Sequence, residues 1–154
     1  INFYNSNKIK IYIFITTIVL TVIFFIFMNY NNEKKNILVS EKYVQAGLYL
    51  KSNDKNNAKL LFEEIILSKN EIYSILALNT IIEKKLISNE KEVLNYFNII
   101  EKSISDKEYK DLIKLKKALY LQKISDIKNS KILLRNLVEK NSSLKPLAQE
   151  LLEE

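Results

Sequence analysis

From Ile11 to Met28 the chain is apolar at every position except Thr16, Thr17 and Thr21, and no charge follows until Glu33. A helix that half-buries in a soluble core carries a polar face, and this run has none. Extended by Ile9 or Tyr30 it reaches about 20 residues, a helix of ~30 Å, the thickness of a bilayer core. Threonine is compatible with such a span because its hydroxyl can bond to a carbonyl of the preceding turn. Lys8 and Lys10 bound one edge and Glu33, Lys34 and Lys35 the other, while Tyr4, Tyr12 and Tyr30 fall where interfacial aromatics sit. The run is long for a signal peptide, and Met28-Asn29-Tyr30-Asn31 lacks a small-x-small cleavage site, so an uncleaved anchor over 9–30, after a tail of 1–8, is predicted.

Beyond a linker at 31–36 the apolar period becomes helical. Ala58, Leu61, Phe62, Ile65 and Ile66 follow i, i+3, i+4, i+7, i+8. Val93, Phe97, Ile100 and Ile104 lie on one such face, as do Ser130, Leu133, Leu134, Leu137 and Val138. Helix-start signals separate the segments. Asn89-x-x-Glu92 and Ser105-x-x-Glu108 read as capping boxes, Asn53-Asp54 and Ser125-Asp126 as N-caps, and Ser143 as the cap of a last helix with Pro146 in its first turn. The pattern predicts helices near 37–51, 55–68, 72–86, 90–103, 106–122, 127–140 and 144–154, with the anchor either running into the first of these or breaking before it. Short connections make antiparallel hairpins, so 37–154 is predicted as an all-α domain of about three hairpins plus a last helix.

The segments echo one another. Leu48-Tyr49-Leu50 returns 71 positions later as Leu119-Tyr120-Leu121, and Leu76-Ala77 returns as Leu147-Ala148. Ala58-Lys59 returns 72 positions later as Ser130-Lys131, and Phe62-x-x-Ile65-Ile66 as Leu134-x-x-Leu137-Val138. This period is about twice that of a ~34-residue helical hairpin repeat, an architecture that builds binding surfaces.

Composition narrows the chemistry. One glycine (Gly47) and one proline (Pro146) are too few turn formers for a β-rich fold. With neither Cys nor His, disulfides, thiolate nucleophiles, thiolate metal sites and histidine bases are all absent. All 18 acids lie beyond Asn32, as do all bases except Lys8 and Lys10, which leaves that region a mixed and mildly positive charge. The lysines flanking the apolar run do not decide its orientation. The sequence starts at Ile1 and stops at Glu154 inside a helical pattern, so it reads as a segment that could continue at both ends.

Ala46, Tyr49, Ala58 and Phe62 stand at separations of 3, 9 and 4. This resembles the small-x-x-Tyr and Ala-x-x-x-Phe pattern of tetratricopeptide (TPR) repeats. There, one position at the crossing of two helices must be small while its neighbours fill the gap. The third hairpin matches through Tyr120 or Leu121, Ser130 and Leu134. In the middle one, Val93 and Phe97 stand in for Ala and Phe. A short tail, one anchor and a TPR-like domain together resemble the ancillary subunit of the bacterial SecYEG translocon. Ala46-Gly47-Leu48-Tyr49-Leu50, Ala58-x-x-x-Phe62-x-x-Ile65 and Tyr73-Ser74-Ile75-Leu76-Ala77 carry that resemblance. It implies a single-pass protein of the bacterial inner membrane, a periplasmic C-terminal domain, and partners in the translocon or among periplasmic chaperones.

Glu63-Glu64 and Asp106-x-Glu108 are paired acids at positions expected to face solvent or cap a helix, with no base, nucleophile or metal set beside them, so neither enzyme activity nor a cofactor is expected. Lys114, Lys116 and Lys117 form the densest basic cluster, but interleaved acids favour a solvated face over nucleic acid. Tyr43, Tyr49, Tyr73, Tyr109 and Tyr120 fit either core positions with exposed hydroxyls or a peptide groove. Gly47 falls mid-helix, where a close helix crossing is the expected reason for it. In TPR-like stacks the first helix of each hairpin lines the concave side, and this points to Tyr43, Gly47, Leu50 and Lys51 as partner contacts. The expected function is a membrane-anchored protein-interaction scaffold, with an envelope structural protein acting through self-association as the alternative.

Overall fold

The computed structural model describes residues 2–153, with side chains at 9, 10, 12–31 and 33–153. The expected roles of Tyr4 at the interface and of Lys8 at the edge of the span lie outside the described residues. The described chain forms seven helices and no strand: α1 (Asn2–Lys51), α2 (Lys55–Leu67), α3 (Glu71–Glu83), α4 (Glu90–Ser103), α5 (Lys107–Lys123), α6 (Ile127–Glu139) and α7 (Lys145–Glu153). It divides into two compact units, Ile1–Leu38 and Val39–Glu154.

In the first unit, the stretch of α1 up to Met28 carries no charged side chain beyond Lys10, and its side chains from Tyr12 to Asn31 are all exposed. The threonine hydroxyls are satisfied within the helix. Thr16 donates to the Tyr12 carbonyl (2.9 Å), Thr17 to Ile13 (2.9 Å) and Thr21 to Thr17 (2.8 Å). None of these three hydroxyls is left needing water, and the helix is long and apolar enough to cross a membrane. Lys34 places its ammonium 4.6 Å from the centre of the Tyr30 ring. Residues 31–36, expected as a linker, belong to α1.

The second unit begins in the last turns of α1. Five of its helices, α1, α2, α3, α5 and α6, are followed by a residue in the left-handed conformation, and none of these is glycine: Asn53 (φ 61°), Lys69 (60°), Lys85 (50°), Ser125 (65°) and Asn141 (49°), whereas α4 ends on extended Ile104. Four of these turns let an amide reach back five residues. Asp54 donates to the Tyr49 carbonyl (2.8 Å), Leu86 to Ile81 (3.0 Å), Asp126 to Leu121 (2.8 Å) and Ser142 to Leu137 (3.1 Å). Each such bond satisfies a carbonyl that the helix end would orphan.

Side-chain caps start the next helices. Asp54 accepts from the Asn57 amide, Asn70 from Tyr73, Asn89 from Lys91 and Glu92, Asp106 from Glu108 and Tyr109, and Asp126 from Asn129. Two expectations are corrected here. Asp106, not Ser105, caps α5, while the Ser105 amide donates to Glu71 Oε1 at 2.7 Å, so the α4–α5 corner is tied to the start of α3. The last helix starts after Ser142, whose hydroxyl accepts from the Leu144 amide (3.2 Å), rather than on a Ser143 cap.

The core repeats. Ala58, Phe62 and Ile65 of α2, Val93, Phe97 and Ile100 of α4, and Ser130, Leu134 and Leu137 of α6 are all at most 2% exposed. The three sets share the spacing i, i+4, i+7. Sealing one large apolar side chain in each is worth roughly 1.5–3 kcal/mol. Helices adjacent in sequence pack together from α2 to α7, and α2 also packs on α4. The register from α2 to α6 is a constant 72: Asn53 and Ser125 form the left-handed turns, Asp54 and Asp126 the caps, and Ala46 and Ala118 are both fully buried. The Leu-Tyr-Leu echo at 71 is therefore displaced by one residue, and Tyr49 corresponds to Leu121. Their carbonyls accept the equivalent amides, those of Asp54 and Asp126.

Candidate functional site

A shallow cleft of about 230 Å³ opens between α3 and α5. Its apolar lining is Ile82, Leu119, Tyr120 and Phe97. Phe97 is 1% exposed and belongs to the repeating core, so the lining at that point is fixed by the fold itself. The Tyr120 ring sits 5.8 Å from that of Phe97 and tilts against it. Burial, then the nearby Glu90 carboxylate, pushes the Tyr120 hydroxyl above the ordinary tyrosine range, so it stays a neutral donor. The polar rim comprises Asn79, Glu83, Lys116 and Lys123. The Glu83 carboxylate is already held by Lys84 at 2.7 Å.

The partner contacts expected from sequence divide. Tyr43 packs edge-on against Phe62 (centroids 5.7 Å) and tilts against Tyr73 (5.8 Å), with its hydroxyl 3.4 Å from Thr80 Oγ1. It joins α1 to α2 and α3 from within. Leu50 also packs on the core, whereas Lys51 is exposed. Gly47 needs a correction: a Cβ built there meets nothing within 4 Å, so no close helix crossing explains it. The turns after α1 and α3 align with an offset of 32, Ser52–Asp54 matching Lys84–Leu86. By that register Gly47, Leu50 and Lys51 occupy in α1 the places that Asn79, Ile82 and Glu83 occupy in α3. The expected positions thus recur, one hairpin on, as one wall of the cleft. Of its other wall, sequence reasoning singled out Lys116, in the basic cluster, and Tyr120, as a core or groove residue, but missed Leu119 and Lys123 as part of a site. The interval Lys-x-x-Leu-Tyr-x-x-Lys on α5 was a signal that could have revealed it.

The remaining candidates have structural neighbours. Glu64 pairs with Lys42 (2.8 Å) and is exposed. Glu63, expected to face solvent, instead turns into the α2–α4 seam. Its Oε1 is buried, 3.5 Å from Lys59 Nζ, and makes no hydrogen bond of good geometry. The same lysine lies 3.9 Å from Glu92, to which the Tyr96 hydroxyl donates over 3.5 Å. The Glu92 side chain is thus engaged with α2 and its own helix, so Asn89 serves as a plain cap rather than half of a capping box. Burial, followed by the Glu63 and Glu92 carboxylates, drives the Tyr96 hydroxyl far above its usual range. Lys117 donates to Asn98 Oδ1 at 2.7 Å and lies 3.9 Å from Glu101, and Lys114 lies 4.0 Å from the buried Asp111. Among the described residues no group of three or more acids could hold a metal ion. No family model matches this chain, and no curated protein or solved structure matches it either.

Proposed function

We propose that this chain is a membrane-anchored, TPR-like scaffold that binds other proteins through the face of α1, α3 and α5. The observation that carries this reading is the buried set at i, i+4, i+7 repeated in α2, α4 and α6. These second helices bury equivalent faces, α2 and α4 in one core cluster and α6 with α5 and α7 in another, which supports leaving the first helices to present a surface, as repeat stacks do. The packing of α2 on α4 supports hairpin stacking, and the cleft lies on the side left to α3 and α5. The all-apolar stretch of α1 supports a single-pass anchor. It would raise the local concentration of the domain beside a membrane partner, so that weak contacts suffice. The resemblance to the SecYEG ancillary subunit favours the translocon or periplasmic chaperones as partners and a periplasmic domain at the inner membrane.

Photo-crosslinking in bacterial membranes from Leu119, which is 41% exposed at the cleft, tests the reading. Recovery of translocon or chaperone components is expected. Recovery of this chain alone would favour the self-associating envelope protein instead. Because the chain lacks cysteine, Lys140→Cys with a membrane-impermeant maleimide reports the side of the membrane. Labelling in intact spheroplasts is expected, and protection there would reverse the orientation.

A further inference from the structure

We infer that the α3–α5 cleft receives a peptide segment in which one large apolar side chain lies between two carboxylates. The inference rests on the reading of the chain as a protein-binding scaffold, and it specifies the chemistry of what is bound. The cleft, at about 230 Å³, is smaller than the roughly 300–1,000 Å³ of small-molecule and cofactor sites. It has room for a side chain rather than a cofactor, and its lining of Ile82, Leu119, Tyr120 and Phe97 suits an apolar one.

Charge supplies the flanks. Lys116 and Lys123 lie seven residues apart on α5, about 10.5 Å along its axis, with Leu119 and Tyr120 between them. Nearby on the same helix, Lys114 and Lys117 are paired with Asp111 and Glu101. Lys116 and Lys123 have no described carboxylate within ion-pair distance, so an incoming acid gains attraction without displacing a resident partner. The opposing rim acid, Glu83, is paired with Lys84 at 2.7 Å. Two residues three apart in a polyproline II segment share a face and stand about 9 Å from each other, close to the lysine separation. An anionic lipid headgroup fits less well, since it concentrates its charge at one point and has no use for the apolar centre.

The test uses the whole chain in detergent micelles. The probe is a short fluorescent Gly/Ser peptide carrying one Leu between two Glu, followed by anisotropy. Binding is expected to weaken about tenfold in the double variant Lys116→Gln, Lys123→Gln, and to fall similarly with added salt or when the peptide glutamates become glutamines. Replacing the peptide Leu by Ser should also abolish it. Both lysines are rim residues, and unchanged circular dichroism of the variant excludes unfolding. Absence of binding, affinity indifferent to the lysines, or displacement of the peptide by short-chain phosphatidylglycerol at lower concentration would each overturn the inference. Failure of the peptide alongside successful crosslinking to a translocon component would sink the cleft chemistry alone. Peptide binding without such a crosslink would sink the translocon assignment alone.

Discussion

Asp54 and Asp126, 72 positions apart, cap α2 and α6 in the same way. Asp54 accepts the Asn57 amide at 3.1 Å and the Asn57 side-chain amide at 2.6 Å. Asp126 accepts the corresponding groups of Asn129 at 3.3 and 2.7 Å. The backbones agree as well, at φ −86°, ψ 76° and φ −88°, ψ 64°. Each Asp→Ala change is expected to cost about 1 kcal/mol, and the double variant about the sum, since the two caps share no partner. Urea denaturation of the whole chain in micelles, followed by near-ultraviolet circular dichroism, measures this. A neutral result at either site would contradict the equivalence.

Gly47 gives an opposite sign. Mid-helix glycine is about 0.8–1 kcal/mol less favourable than alanine, and here an added Cβ meets open space. Gly47→Ala should therefore raise the urea midpoint by the equivalent of about 0.5–1 kcal/mol. A loss of stability would reveal a contact on that side.

Two buried serines should respond oppositely. Ser74 donates to the Ile65 carbonyl at 3.1 Å and links α3 to the end of α2, while the Ser130 hydroxyl is buried without a hydrogen-bond partner. Ser130 also occupies the register position that alanine fills at 58. Ser130→Ala is expected to stabilise by about 1 kcal/mol, because an unsatisfied polar group is removed, and Ser74→Ala to destabilise by about the same. The difference in thermal midpoint between the two variants is the measurement.

The α2–α4 seam predicts a pH response. Tyr96 is raised by burial and by the Glu63 and Glu92 carboxylates, so the folded chain holds the phenol proton more tightly than the unfolded chain does. The stability this contributes is fully present below the ordinary tyrosine value of about 10 and is lost as pH rises above it. Thermal midpoints should fall through this alkaline range, and less steeply in Tyr96→Phe. Equal slopes would remove the seam from the explanation.

Much of the helix map was legible because helical periodicity, Asp and Asn caps and the scarcity of glycine agree locally. The apolar stretch of α1 was also legible, since it needs no partner to be recognised. The turns were harder. Lys69 and Lys85 adopt the left-handed conformation that glycine would have announced, so nothing in their identity marked the helix ends, and α3 stops three residues before the predicted end. The displaced Leu-Tyr-Leu echo has a similar cause. Leu119 and Tyr120 resemble Leu48 and Tyr49 in type, but register is set by which carbonyls the turn uses, and these are visible only once the chain reverses.

By itself the sequence determined the all-helical character, the apolar run of α1 and the repeated i, i+4, i+7 faces, because each depends on residues a few positions apart. The tertiary structure decided which side of each helix remains uncovered. It turned Tyr43 inward and left open space at Gly47. It also placed Lys116 and Lys123 beside a cleft walled by α3, far away in sequence, because burial on one face of a helix is settled by its neighbours and not by the helix alone.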